Sequence, residues 1–116
     1  MAKSILMIDD ETMILKAFKV IFEDLGYKVT TTSDPIHGTA EAIARSFDLI
    51  VTDLCMPGRN GAEITAAIRE VKPEARILVI SGYPHDPIAR QALEAGAIAL
   101  VGKPFEFARI LDFLKD

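Results

Sequence analysis

The sequence predicts a doubly wound α/β domain, a parallel five-stranded sheet with helices on both faces, assembled from five successive βα units. Three observations carry this. Short apolar runs alternate with segments of helical periodicity from end to end. The runs are almost unbroken by polar residues, as suits strands covered on both faces of a parallel sheet. Glycine or proline punctuates most of the boundaries.

The first strand is predicted over Ile5–Ile8. From Thr12 to Leu25, the residues Ile14, Ala17, Phe18, Ile21, Phe22 and Leu25 recur at helical spacing, and Gly26 is the stop. Tyr27–Thr32 is rich in β-formers but more polar, which places it at a sheet edge. Ser33-Asp34-Pro35 supplies a cap and a first-turn proline, opening a helix to about Ser46. Leu49–Val51 is the third strand. A helix from Gly61 to Val71 turns Ile64, Ala67, Ile68 and Val71 inward, and Pro73 ends it. Ile77–Ile80 is the fourth strand, and a helix from Pro87 to Ala95 stops at Gly96. Ala97–Val101 is the last strand. A final helix from Pro104 to Lys115 carries Phe107, Ile110, Leu111 and Leu114 on one stripe.

The bulk properties narrow the function classes. A length of 116 residues implies one domain, 1–116, with a proper core. Half of the residues are apolar, 26% are charged, and the net charge is −4, which argues against direct nucleic-acid binding by this domain. The single cysteine, Cys55, excludes an internal disulfide and fits a reducing compartment. No stretch approaches the ~20 apolar residues that span a bilayer. Met1-Ala2-Lys3-Ser4 does not open a signal peptide, so the expected location is cytoplasmic, without membrane insertion.

Right-handed crossovers in such a sheet put ligands beyond the carboxyl ends of the strands. Asp9-Asp10 follows the first strand, Asp53 the third, Ser81-Gly82 the fourth, and Gly102-Lys103-Pro104 the last. Three carboxylates and one ammonium leave a formal charge of −2. Crowded like charges would drive protons back onto the acids, whereas a divalent cation cancels the excess. The donors are oxygens without a histidine or cysteine side-chain set, so Mg²⁺ (or Mn²⁺) fits better than zinc. Lys103 and the Ser81 hydroxyl suit phosphate oxygens, and a carboxylate is a competent nucleophile for an aspartyl phosphate.

In order and spacing, these motifs make the chain resemble the receiver domains of two-component response regulators. The resemblance rests on Asp9-Asp10-Glu11, on Asp53-Leu54-Cys55-Met56-Pro57-Gly58 with Gly61 following, on Ser81-Gly82, and on Gly96-Ala97 leading to Lys103-Pro104-Phe105. It implies a flavodoxin-like sheet of order 2-1-3-4-5. It implies Asp53 as phosphoacceptor, Asp10 as direct metal ligand, Asp9 as a second acid acting through metal-bound water, and the Cys55 backbone carbonyl as a further ligand. Ser81 takes the hydroxyl switch position, Lys103 contacts the phosphoryl group, and the Lys103–Pro104 bond is expected to be cis. Implied partners are a sensor histidine kinase or a histidine phosphotransfer domain. A homodimer through the face formed by helix four, strand five and helix five is a further expectation.

One departure stands out. Leu100 occupies the place where such domains usually carry tyrosine or phenylalanine. The aromatic swing that accompanies movement of the switch hydroxyl cannot occur in its usual form. Ile98 and Leu100 share one side of the last strand, either packed against helices or forming an apolar docking patch. His37, His85 and the Cys55 side chain read as incidental, and Glu11 and Met13 flank the site mouth without an assigned role.

The predicted function is therefore a phosphoacceptor switch that is enzyme-like only toward itself. The alternative is a phosphorylation-independent interaction module on the same fold, which Leu100 keeps in view. A turnover phosphatase would place its nucleophile after the first strand, and no glycine-rich phosphate loop follows that strand. Any output element would lie on another segment or another chain.

Overall fold

In the computed structural model, which describes residues 2–83, 85–103 and 107–115, the apolar runs become five parallel strands. These are β1 (Ser4–Ile8), β2 (Lys28–Thr32), β3 (Leu49–Asp53), β4 (Ile77–Ser81) and β5 (Ala99–Gly102). The helices are α1 (Thr12–Asp24), α2 (Pro35–Ala44), α3 (Gly61–Val71), α4 (Pro87–Glu94) and α5 (Phe107–Asp112). The sheet order is β2-β1-β3-β4-β5, so the polar β2 is an edge strand, as its composition predicts.

Period-two alternation splits the strand residues between two cores. Leu6, Ile8, Ile50, Ile77 and Val79 face one side, with Ala42 of α2, Ile64 and Ile68 of α3, and Ala89 and Ala92 of α4. Ile5, Met7, Leu49, Val51, Leu78, Ile80 and Val101 face the other, against Leu15, Phe18 and Phe22 of α1 and Ile110 of α5. The Phe18 and Phe22 rings stack at 4.1 Å, and the Phe107 ring meets Phe18 edge-on at 5.7 Å. Every residue of β3 and β4 is buried, which explains the apolar runs Leu49–Val51 and Ile77–Ile80 within them; the polar Thr52, Asp53 and Ser81 stand at the carboxyl ends.

Several boundaries and faces differ from the sequence expectation. The buried stripe of α1 is Leu15, Phe18 and Phe22, while Ala17, Ile21 and Leu25 are exposed. Ala17 and Ile21 lie between the buried residues in sequence but beside their stripe on the helix surface, so the apolar arc is wider than the face that is covered. Val71, expected to face inward, is exposed at the last turn of α3. The last strand begins at Ala99 rather than Ala97, because Ala97 still bonds back to Ala92 in the turn that closes α4. The described part of the final helix begins at Phe107. The Lys103–Pro104 bond lies outside the described residues.

Local chemistry fixes the helix starts. The Asp34 carboxylate accepts from the Ile36 amide, with Pro35 in the first turn. Asn60 and Glu63 form a reciprocal capping box at α3. The backbone at Gly61 lies so close to the end of β3 that an added Cβ would come within 2.9 Å of the Asp53 carbonyl oxygen and the Leu54 Cα. Both are backbone atoms, so relief requires α3 to move away from the strand that ends in Asp53. Gly61→Ala is expected to lower stability by about 1–3 kcal/mol in urea unfolding. Gly82→Ala, which meets open space, is expected to stay within about 0.5 kcal/mol of the parent.

Candidate functional site

The parallel register brings the predicted residues together. Ile8 pairs with Thr52, Asp53 with Ile80, and Ser81 with Gly102, so the ends of β1, β3, β4 and β5 open on one cleft. Asp10, Glu11, Asp53, Cys55, Ser81, Gly82, Tyr83 and Lys103 line about 440 Å³ there. Asp9 lies fully buried at its base, and oxygens of Asp9, Asp10 and Asp53 approach within 4.8 Å of one another.

Lys103 is the hub. Its backbone N–H donates to the Ser81 carbonyl at 2.7 Å, which continues the β4–β5 ladder and fixes the side chain's origin. Its Nζ stands 2.8 Å from Glu11 Oε1, 3.1 Å from Asp9 Oδ2 and 3.3 Å from Asp53 Oδ2. The Glu11 contact is an aligned hydrogen bond. Asp9 Oδ1 accepts the Glu11 backbone N–H at 2.9 Å. Asp9 Oδ2 has the ammonium beside it but, among the described residues, no donor aligned with it.

This arrangement sets the proton affinities. Burial, then the neighbouring Asp9 charge, pushes the Asp53 carboxyl up to about 6, against the pull of Lys103. Burial also raises Asp9, which the Glu11 amide and Lys103 only partly offset. Burial alone would depress Lys103, but the hydrogen bonds to Glu11 and Asp9 and the charges of Asp53 and Asp9 outweigh it and raise its pKa. The Cys55 thiol is pushed up by burial and by the Asp86 and Asp53 charges.

The donor set fits a hard divalent cation. It consists of oxygens, carries excess negative charge, and includes a buried carboxylate oxygen without an aligned partner. Cys55 lines the same cleft and is exposed, whereas His37 and His85 are exposed away from it.

Ser81 is buried, and its hydroxyl oxygen accepts the Tyr83 backbone N–H at 2.9 Å. The Tyr83 carbonyl accepts from Asp86 N–H at 3.0 Å, and the Asp86 carboxylate caps α4 through Ile88 N–H at 2.9 Å. A ladder of hydrogen bonds thus joins the site to the first turn of α4. Leu100 packs partly buried against the core cluster that holds Ala89 and Ala92, while Ile98 is exposed.

Sequence reasoning left Glu11 without a role, yet it makes the shortest contact to Lys103. It is the N-cap residue of α1 and makes no side-chain capping bond there; nothing in its sequence position signals the pairing with Lys103.

The architecture first defines a class, the CheY-like receiver fold of regulatory domains. A CheY-like receiver domain protein from Methanospirillum hungatei superposes with a TM-score of 0.92 at 29% identity, covering 98% of this chain and 91% of that one. A response regulator from Burkholderia pseudomallei, described as having a phosphorylated aspartic acid, a calcium ion and citrate, superposes at 0.87 with 31% identity, covering 97% and 66%. The nitrogen assimilation regulatory protein NtrX of Azorhizobium caulinodans is 34% identical over 96% of this chain and 25% of its own length. The photosynthetic apparatus regulatory protein RegA of Cereibacter sphaeroides is 32% identical over 88% and 55%. Residues 5–115 match the response regulator receiver domain, and the chain belongs to that family. It spans about a quarter of the length of the first curated relatives it matches.

The raised pKa of Asp53 fixes the sign of a pH effect. Between the ordinary carboxylate value and about 6, the folded state holds a proton that the unfolded chain has released. Stability contributed by this group is therefore present at low pH and lost as pH rises through that window. In metal-free buffer at pH 8, Asp53→Asn is expected to be more stable than the parent by about 2 kcal/mol in urea unfolding. The difference should shrink as pH falls toward 4.

Proposed function

We propose that the chain is a phosphoacceptor switch, one receiver domain over residues 1–116, in which Asp53 receives a phosphoryl group with Mg²⁺ or Mn²⁺ bound. The observation that carries this is the convergence of Asp9, Asp10, Asp53, Ser81 and Lys103 on one cleft from four separate strands. The phosphorylated aspartate in the Burkholderia relative supports it.

Asp10, Asp9, Asp53 and the Cys55 carbonyl would hold the metal. When bound, the cation supplies positive charge that the phosphoryl oxygens and the acids share. Asp53 supplies the nucleophilic oxygen. Lys103, already beside Asp53, pairs with a phosphoryl oxygen, and the Ser81 hydroxyl bonds to another. Turning toward the phosphoryl group, Ser81 releases the Tyr83 amide and loosens the ladder that seats α4. This route needs no aromatic ring at position 100, so Leu100 does not remove the switch. A phosphorylation-independent module would have no use for the complete acid, hydroxyl and lysine set.

The donor in this reading is a sensor histidine kinase or a histidine phosphotransfer domain, and the setting is the cytoplasm. The domain hydrolyses only its own acyl phosphate. No described helix is long and apolar enough to cross a membrane. Leu93 of α4 and Ile98, exposed beside the half-buried Leu100, supply an apolar face for self-association.

Two measurements test this. Intact mass after incubation with phosphoramidate and Mg²⁺ should show one phosphoryl adduct, absent in Asp53→Asn and in EDTA. No adduct from protein that binds Mg²⁺ would overturn the reading. Leu93→Glu should keep the adduct and the fold but weaken any phosphorylation-dependent dimer in sedimentation, and an unchanged dimer would remove this face from the interface.

A further inference from the structure

The resting cleft already surrounds Lys103. An ammonium has three N–H donors, and three carboxylates stand against them, those of Glu11, Asp9 and Asp53. Of these, the Glu11 contact is the aligned hydrogen bond, and a phosphoryl oxygen that is to contact Lys103 competes with all three carboxylates for the ammonium.

Their burial decides which one leaves. The Asp9 side chain is 0% exposed and that of Asp53 8%, whereas that of Glu11 is 57% exposed. A buried carboxylate that loses its cation is left unpaired away from water, which is strongly unfavourable. An exposed one recovers its hydration, and such pairs are weak. Glu11 is the partner that can leave, and it also holds the shortest and best-aligned contact.

We infer that Glu11 is a latch on Lys103. Its carboxylate occupies the place of the incoming phosphoryl oxygen, so that transfer to Asp53 requires Lys103 to exchange Glu11 for the phosphoryl group. Glu11 is thus a positioning residue that slows phosphorylation by holding Lys103 in its resting contacts. The inference rests on the phosphoacceptor reading. In the step itself, an Asp53 oxygen forms the new O–P bond and the donor's P–N bond breaks. The electron pair leaves with the nitrogen, which takes a proton from water. Glu11 turns outward into solvent.

The same argument separates a latch from simple repulsion. A charge at the cleft mouth repels an anionic donor whether or not it touches Lys103. Glu11→Gln removes the charge and weakens the contact. Glu11→Asp keeps the charge but shortens the side chain, so the contact to Lys103 is lost.

The test measures phosphorylation of the full chain by phosphoramidate with Mg²⁺, by intact mass against time. Acetylation of Lys103 in metal-free protein, by peptide mass, is the second readout. Both variants are expected to phosphorylate about twofold to fivefold faster than the parent, and both should label more readily at Lys103. Faster phosphorylation in Glu11→Gln alone would mean repulsion and overturn the latch. Unchanged or slower phosphorylation in both, or unchanged labelling, would overturn it as well. If the parent forms no adduct while binding Mg²⁺, the phosphoacceptor reading fails and the latch falls with it.

Discussion

One ammonium group allows several carboxylates to share this cleft. Asp9 is fully buried, Asp53 nearly so; burial raises the proton affinity of both, and the Asp9 charge raises that of Asp53 further. Without Lys103, the low-dielectric base of the cleft would tolerate neither as an anion. The sheet is arranged to deliver that charge. The backbone amide of Lys103 is tied to Ser81, at the end of a strand buried along its whole length. The position of the ammonium is therefore set where the edge strand β5 pairs with the fully buried β4. Single-ion compensation is incomplete, however, and the residual negative charge is what makes the cleft receptive to a divalent cation.

The parallel register is the second constraint. Lys103, Asp53 and the Asp9-Asp10 pair come from distant parts of the sequence, and only the order β2-β1-β3-β4-β5 brings their strand ends side by side. The close backbone approach at Gly61 then fixes α3 against the end of the strand that presents Asp53. Packing and chemistry meet at that glycine, since the helix that covers one core also frames the acid.

Much of this was legible in the sequence because the signals were local. Apolar runs reported buried strands, Asp34-Pro35 reported a helix start, and motif order reported the cleft. Illegible were features that depend on how far one element overlaps another. Ile21 and Leu25 carry the same periodicity as Phe18 and Phe22, but the width of the face that packs on the sheet decides which are covered. The pairing of Glu11 with Lys103 escaped notice for a related reason. A residue of mixed character at a helix start gives no hint of a partner most of the chain away. Leu100 was visible as a departure, but its neighbourhood was not, and the hydrogen-bond ladder from Ser81 to Ile88 has no sequence signature.

That ladder has a consequence for how the domain diversifies. The helix α4 buries only Ala89 and Ala92, both small, whereas α1 buries Leu15, Phe18 and Phe22. By apolar area, α4 is anchored far more shallowly. Its seating leans on Tyr83, Asp86 and the hydroxyl at the foot of the ladder. Substitutions on the exposed face of α4 therefore disturb the core little while altering how firmly the helix rests. The surface of α4 can change its character without rebuilding the cleft at the strand ends, because the two are joined by a few hydrogen bonds rather than by a shared core.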